Sequence, residues 1–262
     1  MADPELFVDA AGDGPAVLLG HGLGGSARNW RPQLRALRPA FRAVAWDTRG
    51  HARSQAPAEE AAYTPERLAA DLGRVLDTQA EGVPAVVGGL SLGAAVALRF
   101  ALASPDRVRA LVLAAHPGTR SGGGFAAVAE EFAAAIDAEG LEAAGERFVW
   151  GARSGLDRQA AKLVRMGFLE HPPHAIAALL RQFVRPLEPV EALAPELGRL
   201  ALPTLVIVGG NDAASLGPSH ALAELLPQAE LVIVPDAGHV VNLARPEAFN
   251  EALLAFLERT VR

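Results

Sequence analysis

The segment Ala85-Val86-Val87-Gly88-Gly89-Leu90-Ser91-Leu92-Gly93-Ala94-Ala95-Val96-Ala97-Leu98-Arg99-Phe100-Ala101-Leu102-Ala103 decides the fold class. Ala85 to Gly88 is a short apolar run of the kind that lies inside a sheet, and Leu92 to Ala103 is apolar over a length suited to a helix. Gly89-Leu90-Ser91-Leu92-Gly93 joins the two, so the chain must turn sharply between strand and helix. Arg99 interrupts the helical run, which is in any case too short to span a membrane.

The same pairing repeats on both sides. Buried-strand patterns occur at Ala16 to Gly20, Arg42 to Trp46, Ala110 to Ala115, Thr204 to Val208 and Glu230 to Val234. Helical patterns lie at Trp30 to Leu37, Pro65 to Gln79 with Thr64 as N-cap, Pro218 to Leu226, and Pro246 to Glu258. Alternation of this kind predicts an α/β fold, a mostly parallel sheet with helices on both faces. From about Pro117 to Leu202 the strands stop and apolar residues recur at helical spacing. Gly122, Gly123, Gly124 and Gly140 punctuate the entry, and Pro172, Pro173, Pro186 and Pro189 the exit. The expectation is a core of residues 1–116 and 203–262 with a helical cap insertion, 117–202, over the carboxyl edge of the sheet.

Composition sets the outer bounds. At 262 residues, half of them hydrophobic, the chain can bury a sizeable core and is not disordered. The net charge of -6 lacks the basic excess of a nucleic-acid or anionic-membrane binder, and neither partner is expected. Without cysteine there is no disulfide, thiolate nucleophile or zinc-thiolate site, so the chemistry must use oxygen and nitrogen groups. Asp3, Glu5 and Asp9 precede the first basic residue, Arg28, the reverse of a secretory signal, and the default expectation is cytoplasmic. The mean hydropathy of +0.19 reflects alanine.

A serine flanked by glycines on a strand-to-helix turn has its hydroxyl exposed at the sheet edge, which makes Ser91 the candidate nucleophile. It needs a base to take its proton and an acid to orient that base. His239, in the turn Pro235-Asp236-Ala237-Gly238-His239 after a late strand, is the candidate base. His220 falls inside a helical pattern instead. Asp212, just past the strand Thr204 to Val208, is the candidate acid; Asp236 is its rival, better suited to forming the turn. Acyl transfer also requires donors for an oxyanion. The Gly-rich loop Gly20-His21-Gly22-Leu23-Gly24-Gly25-Ser26 offers the Leu23 amide, to be paired with the Leu92 amide after Ser91. Gly20, Gly22 and Gly25 also spell a dinucleotide pattern with Asp47 downstream, but that reading leaves Ser91, Asp212 and His239 unexplained.

These residues in this order resemble the α/β-hydrolase superfamily over nearly the whole chain outside the insertion. Asp47-Thr48-Arg49-Gly50-His51 is similar to the family's D-x-R-G-H-G-x-S turn, and Gly238-His239 with Arg245-Pro246-Glu247-Ala248-Phe249 to its C-terminal signature. Trp30-Arg31-Pro32-Gln33, Asp47-Thr48-Arg49-Gly50-His51 and Gly89-Leu90-Ser91-Leu92-Gly93 look most like 3-oxoadipate enol-lactonases and small esterases. Ala52 and Ala244 depart from the family's glycine and acidic residue, and His21-Gly22-Leu23-Gly24 departs from the enol-lactonase loop, which shifts weight toward a general esterase. Ser91 excludes the aspartate-dependent dehalogenase branch.

The resemblance implies a serine hydrolase of a small ester or lactone, with no cofactor and no metal. Hydrolysis of a carbon–carbon bond by the same triad, or a non-catalytic small-molecule receptor, are the alternatives. Substrate-pocket candidates are His21, His116, Phe148, Trp150 and Val240, whereas Arg49 and His51 are expected to hold their loop. His171 and His174 flank two prolines without the acidic partner a metal would want. Arg147, Arg153, Arg165 and Arg181 are the cap arginines that could meet a substrate carboxylate. Oligomeric state is not legible.

Overall fold

The computed structural model describes residues 3–118, 125–151 and 158–261. Gly122, Gly123, Gly124 and Arg153 lie outside them. Seven strands form one sheet: β1 (Val8–Ala11), β2 (Ala16–Gly20), β3 (Arg42–Trp46), β4 (Ala85–Leu90), β5 (Val108–Ala114), β6 (Thr204–Gly209) and β7 (Ala229–Val234). Their order is β1-β3-β2-β4-β5-β6-β7, with β1 antiparallel to β3 and every other pair parallel. The helices among the described residues are α1 (Arg31–Leu37), α2 (Pro65–Ala80), α3 (Leu92–Ala103), α4 (Phe125–Gly145), α5 (Arg158–Phe168), α6 (Pro173–Leu179), α7 (Ala194–Leu197), α8 (Ala213–Leu225), α9 (Val241–Ala244) and α10 (Pro246–Thr260).

The sheet is covered on both sides because its inner strands β2, β4 and β6 are buried at every position and β3 and β5 at all but one. Along β2, Leu18 enters the core shared with Leu68, Leu72 and Leu76 of α2, while Val17 and Leu19 enter the core shared with Leu34 and Leu37 of α1 and Phe249, Leu253 and Phe256 of α10. Neighbouring strands β2 and β4 then lead away in opposite directions, β2 to β3 on one side and β4 to β5 on the other. The carboxyl ends of such a pair border a crevice, the place where ligands gather in open α/β sheets.

Two sequence expectations are corrected. The edge strand β1 was not anticipated, because Val8-Asp9-Ala10-Ala11 is half-exposed and its pairing to β3 is a matter of tertiary contact. The helix expected at Pro218 begins at Ala213 and carries Pro218 inside it. Proline normally opens a helix, but here Asp212 takes the cap position and accepts the Ser215 N–H, so the helix starts one and a half turns earlier. Thr64 does stand at the N-cap of α2, without a side-chain capping bond.

Between β5 and β6 the described residues are helical, with α4 broken at Gly140 (φ 85°). Phe132, Trp150, Phe168, Ile176 and Leu180 build a separate core there. No helix among the described residues is long and apolar enough to cross a membrane.

Candidate active site

Ser91 sits between β4 and α3 at φ 53°, ψ -113°, a conformation costly for any residue with a side chain. Neighbouring bonds hold it there: its N–H donates to the Ala114 carbonyl at 2.9 Å, and its carbonyl accepts the Ala95 N–H at 3.0 Å. The turn fits only because of its glycines. A methyl group on Gly93 would stand 2.1 Å from the Gly20 carbonyl oxygen, and one on Gly89 2.4 Å from the same atom. The loop after β2 comes into van der Waals range of the turn: a methyl on Gly22 would lie 3.4 Å from Ser91 Cβ.

Asp212 follows β6 and His239 follows β7, which places both on the sheet edge that carries Ser91. His239 Nδ1 lies 2.8 Å from Asp212 Oδ2. Burial of the Asp212 carboxyl would raise its pKa, but bonds from His239 and Ser215 outweigh that and hold it below the usual carboxylate range. The structure thus joins Asp212 to His239, whereas Ser91 Oγ makes no hydrogen bond among the described residues. The rival Asp236 is 80% exposed and faces Arg245, and His220 is exposed on α8. Ser215, which sequence reasoning passed over, places its Oγ 3.4 Å from His239 Nδ1. Its signal was the third position of a helix capped by Asp212, hidden once the helix was taken to start at Pro218.

The Leu92 amide lies in the first turn of α3, where helix N–H groups have no intrahelical acceptor, and the Leu23 amide lies in the loop after β2. Neither amide donates to a loop or turn carbonyl among the described residues.

The other pocket candidates separate. His21 is fully buried, its Nε2 accepting the Thr48 N–H at 2.9 Å and its Nδ1 bonded to the Gly22 carbonyl at 2.8 Å, so it supports the loop and presents nothing to a ligand. His116 lies just past β5, buried, with Nδ1 accepting the Gly118 N–H at 3.0 Å; burial pushes its pKa down to about 4. Phe148 stacks on Phe132 at 4.8 Å, and Trp150 meets Phe168 edge to face at 5.7 Å, both inside the helical segment's aromatic cluster. Val240 is half-buried at the start of α9.

Arg49 and His51 hold their loop, as expected. Arg49 forms a buried two-point pair with Asp71 at 2.6 and 2.7 Å, and His51 Nε2 accepts the Gly24 N–H at 3.1 Å. Nearby, the buried Asp47 accepts the Ala27 N–H and pairs with Arg53 at 2.7 Å. His171 is buried and His174 exposed, and the described residues contain no group of three or more side chains fit to hold a metal ion. Arg147 pairs with Glu131, Arg165 with Glu142, and Arg181 with Glu130, Glu60 and Asp137.

Comparison with known proteins agrees with this architecture. The chain is 36% identical over 266 residues to a protein of Variovorax paradoxus named "Putative carbamate hydrolase RutD", covering 96% of this chain and 95% of the relative. A thermophilic esterase from Thermogutta terrifontis superposes with a TM-score of 0.87 at 28% identity, covering 99% and 95% of the two chains. The enol-lactonase from Burkholderia xenovorans does so with a TM-score of 0.85 at 27% identity, covering 97% of each. The alpha/beta hydrolase family matches residues 16–252, nine-tenths of the sequence and every strand but β1, and the chain belongs to that family.

Proposed function

We propose that this hydrolase cleaves a small, uncharged carboxylic ester or lactone through an acyl-enzyme on Ser91. The observation that carries the reading is the His239–Asp212 contact on the sheet edge that also carries the strained Ser91 turn. In this reading His239 Nε2 accepts the Ser91 proton as Oγ attacks the substrate carbonyl carbon, and the π pair of the C=O bond moves onto oxygen. The Leu23 and Leu92 amides stabilise that oxyanion, and the alkoxide leaves with the proton from His239. Water, deprotonated by His239, then releases the acid and restores Ser91. Asp212, kept anionic by its bonds, fixes the imidazole tautomer and stabilises the imidazolium.

Two observations support a neutral substrate covered by a cap formed by residues 117–202. Arg147, Arg165 and Arg181 are already paired with carboxylates, leaving none of the three for a substrate anion. The helical segment also reaches the loops at the carboxyl ends of β2 and β3: Phe168 packs on Gly24 and Ala175 on Gly50. The named activities of the relatives, carbamate hydrolase, esterase and enol-lactonase, share attack on an acyl carbonyl, which supports the same chemistry here.

The test is initial-rate hydrolysis of p-nitrophenyl acetate, butyrate and octanoate by the wild type beside Ser91→Ala. Activity lost by several orders of magnitude in a folded Ser91→Ala is the expected result. Equal rates in the two proteins, or failure of a serine-reactive phosphonate to label the wild type, would overturn it.

A further inference from the structure

Three buried imidazoles form a column beside the candidate active site. His21 and His51 meet edge to face with ring centroids 4.7 Å apart, His51 and His171 at 4.8 Å, and Phe168 continues the column 6.2 Å from His171. A backbone amide sets the tautomer of each ring. Thr48 N–H donates to His21 Nε2, Gly24 N–H to His51 Nε2, and Ala52 N–H to His171 Nδ1 at 2.9 Å. Burial lowers the pKa of all three, so they are neutral, and the nitrogen that does not accept carries the hydrogen. His21 Nδ1–H therefore donates to the Gly22 carbonyl.

That carbonyl and the Leu23 N–H belong to one planar trans peptide unit. Fixing the oxygen fixes the N–H in the opposite direction. The Gly24 N–H, held by His51, fixes the next turn of the loop. The outer end of the column comes from a distant part of the chain: His171 stands between α5 and α6, and its neighbour Phe168 lies so close over Gly24 that a methyl there would be 2.2 Å from the ring. His171 is buried although its Nε2 has no hydrogen-bond partner among the described residues, a cost that calls for an explanation.

We infer that His171 is a positioning residue for the acyl-transfer reaction: through Ala52 and His51 it ties the helical segment to the loop Gly20–Ser26 and so sets the direction of the Leu23 amide. The inference rests on the reading of Ser91 as nucleophile and Leu23 as oxyanion donor.

The experiment compares the wild type, His171→Phe, His171→Asn and Phe168→Leu in full-length protein. Phenylalanine keeps a ring against His51 but removes the acceptor for Ala52 N–H; asparagine restores an acceptor in place of Nδ1. Each is measured for kcat and KM on p-nitrophenyl butyrate and for inhibition by an alkyl trifluoromethyl ketone, whose serine adduct carries an oxyanion. In His171→Phe, kcat is expected to fall about 10- to 100-fold with KM nearly unchanged, and the ketone to weaken by a similar factor. His171→Asn should recover most of the loss.

A folded His171→Phe with wild-type kcat and ketone affinity overturns the inference. If that variant does not fold, unchanged kcat and ketone affinity in Phe168→Leu do so. A wild type that neither hydrolyses the ester nor binds the ketone overturns the underlying reading of Ser91 instead, and the two failures are thereby distinguished.

Discussion

His239 Nδ1 and Asp212 Oδ2 are 2.8 Å apart although 27 residues separate them, and the same carboxylate caps α8. Two roles in one side chain give Asp212→Asn a divided signature. The amide can still cap the helix, so stability should change by less than about 1 kcal/mol. Loss of the anion beside the imidazole should lower kcat by roughly four orders of magnitude. Asp236→Asn, at an exposed side chain, should leave kcat unaltered. Steady-state kinetics and urea melts of both variants check this, and a normal Asp212→Asn rate would remove it as the orienting acid.

Gly93 and Gly167 should respond to alanine with opposite signs. At Gly93 the new methyl meets the Gly20 carbonyl oxygen at 2.1 Å, so strand and helix must separate, and we expect a loss of about 3 kcal/mol or more. At Gly167, inside α5, nothing among the described residues lies within 4 Å, and helix propensity should add up to about 1 kcal/mol. Urea midpoints decide both, and a neutral Gly93→Ala would refute the tight approach of α3 to β2.

Burial separates two ion pairs of similar length. Arg49 and Asp71 are 3% and 1% exposed, so Asp71→Asn strands a guanidinium and should cost about 3–5 kcal/mol. Arg259 and Glu230, both on the surface, should contribute less than about 1 kcal/mol, and Arg259→Ala little change. Thermal unfolding of the two variants reads the difference, and equal shifts would contradict it.

Stability should decline on mild acidification. Burial pushes His21 and His116 down to about 4 from an ordinary value near 6.5. Between those values the unfolded chain binds protons that the folded chain refuses, so unfolding is favoured as pH falls through that window and the contribution is whole above it. Each histidine accounts for on the order of 3 kcal/mol at most. The lowered carboxyls of Asp47 and Asp212 extend the loss to more acidic pH with the same sign. Urea midpoints from pH 8 to pH 4 should fall steadily below about 6.5, and a flat profile would show that these imidazoles are hydrated.

Substrate charge should matter. Under the proposed reading, a p-nitrophenyl ester ending in a carboxylate would bring an anion to a helical segment whose Arg147, Arg165 and Arg181 are already paired with carboxylates. Its kcat/KM should be at least about tenfold below that of the butyrate ester, one factor of ten being 1.4 kcal/mol of unpaired charge. A preference for the acidic ester would instead mean that one of these pairs opens for substrate.

The fold class and the Ser91 turn were legible in the sequence, as were the candidates Ser91, Asp212 and His239 in that chain order. Each is local: the inner parallel strands are almost wholly apolar, and a sharp strand-to-helix turn admits little but glycine at Gly89 and Gly93. Tertiary structure alone decided the rest. The half-exposed β1 has no local signal, since its pairing with β3 satisfies backbone groups that a loop could also satisfy in water. Pro218 signals a helix start by its missing N–H, but the cap is chosen by whichever side chain reaches the free amides, and Asp212 does. His21, His51 and His171 are separated by 30 and by 120 positions, so nothing periodic links them. They meet because the apolar face of the helical segment is buried against the loops of the sheet, and a buried imidazole must bond to the backbone groups within reach.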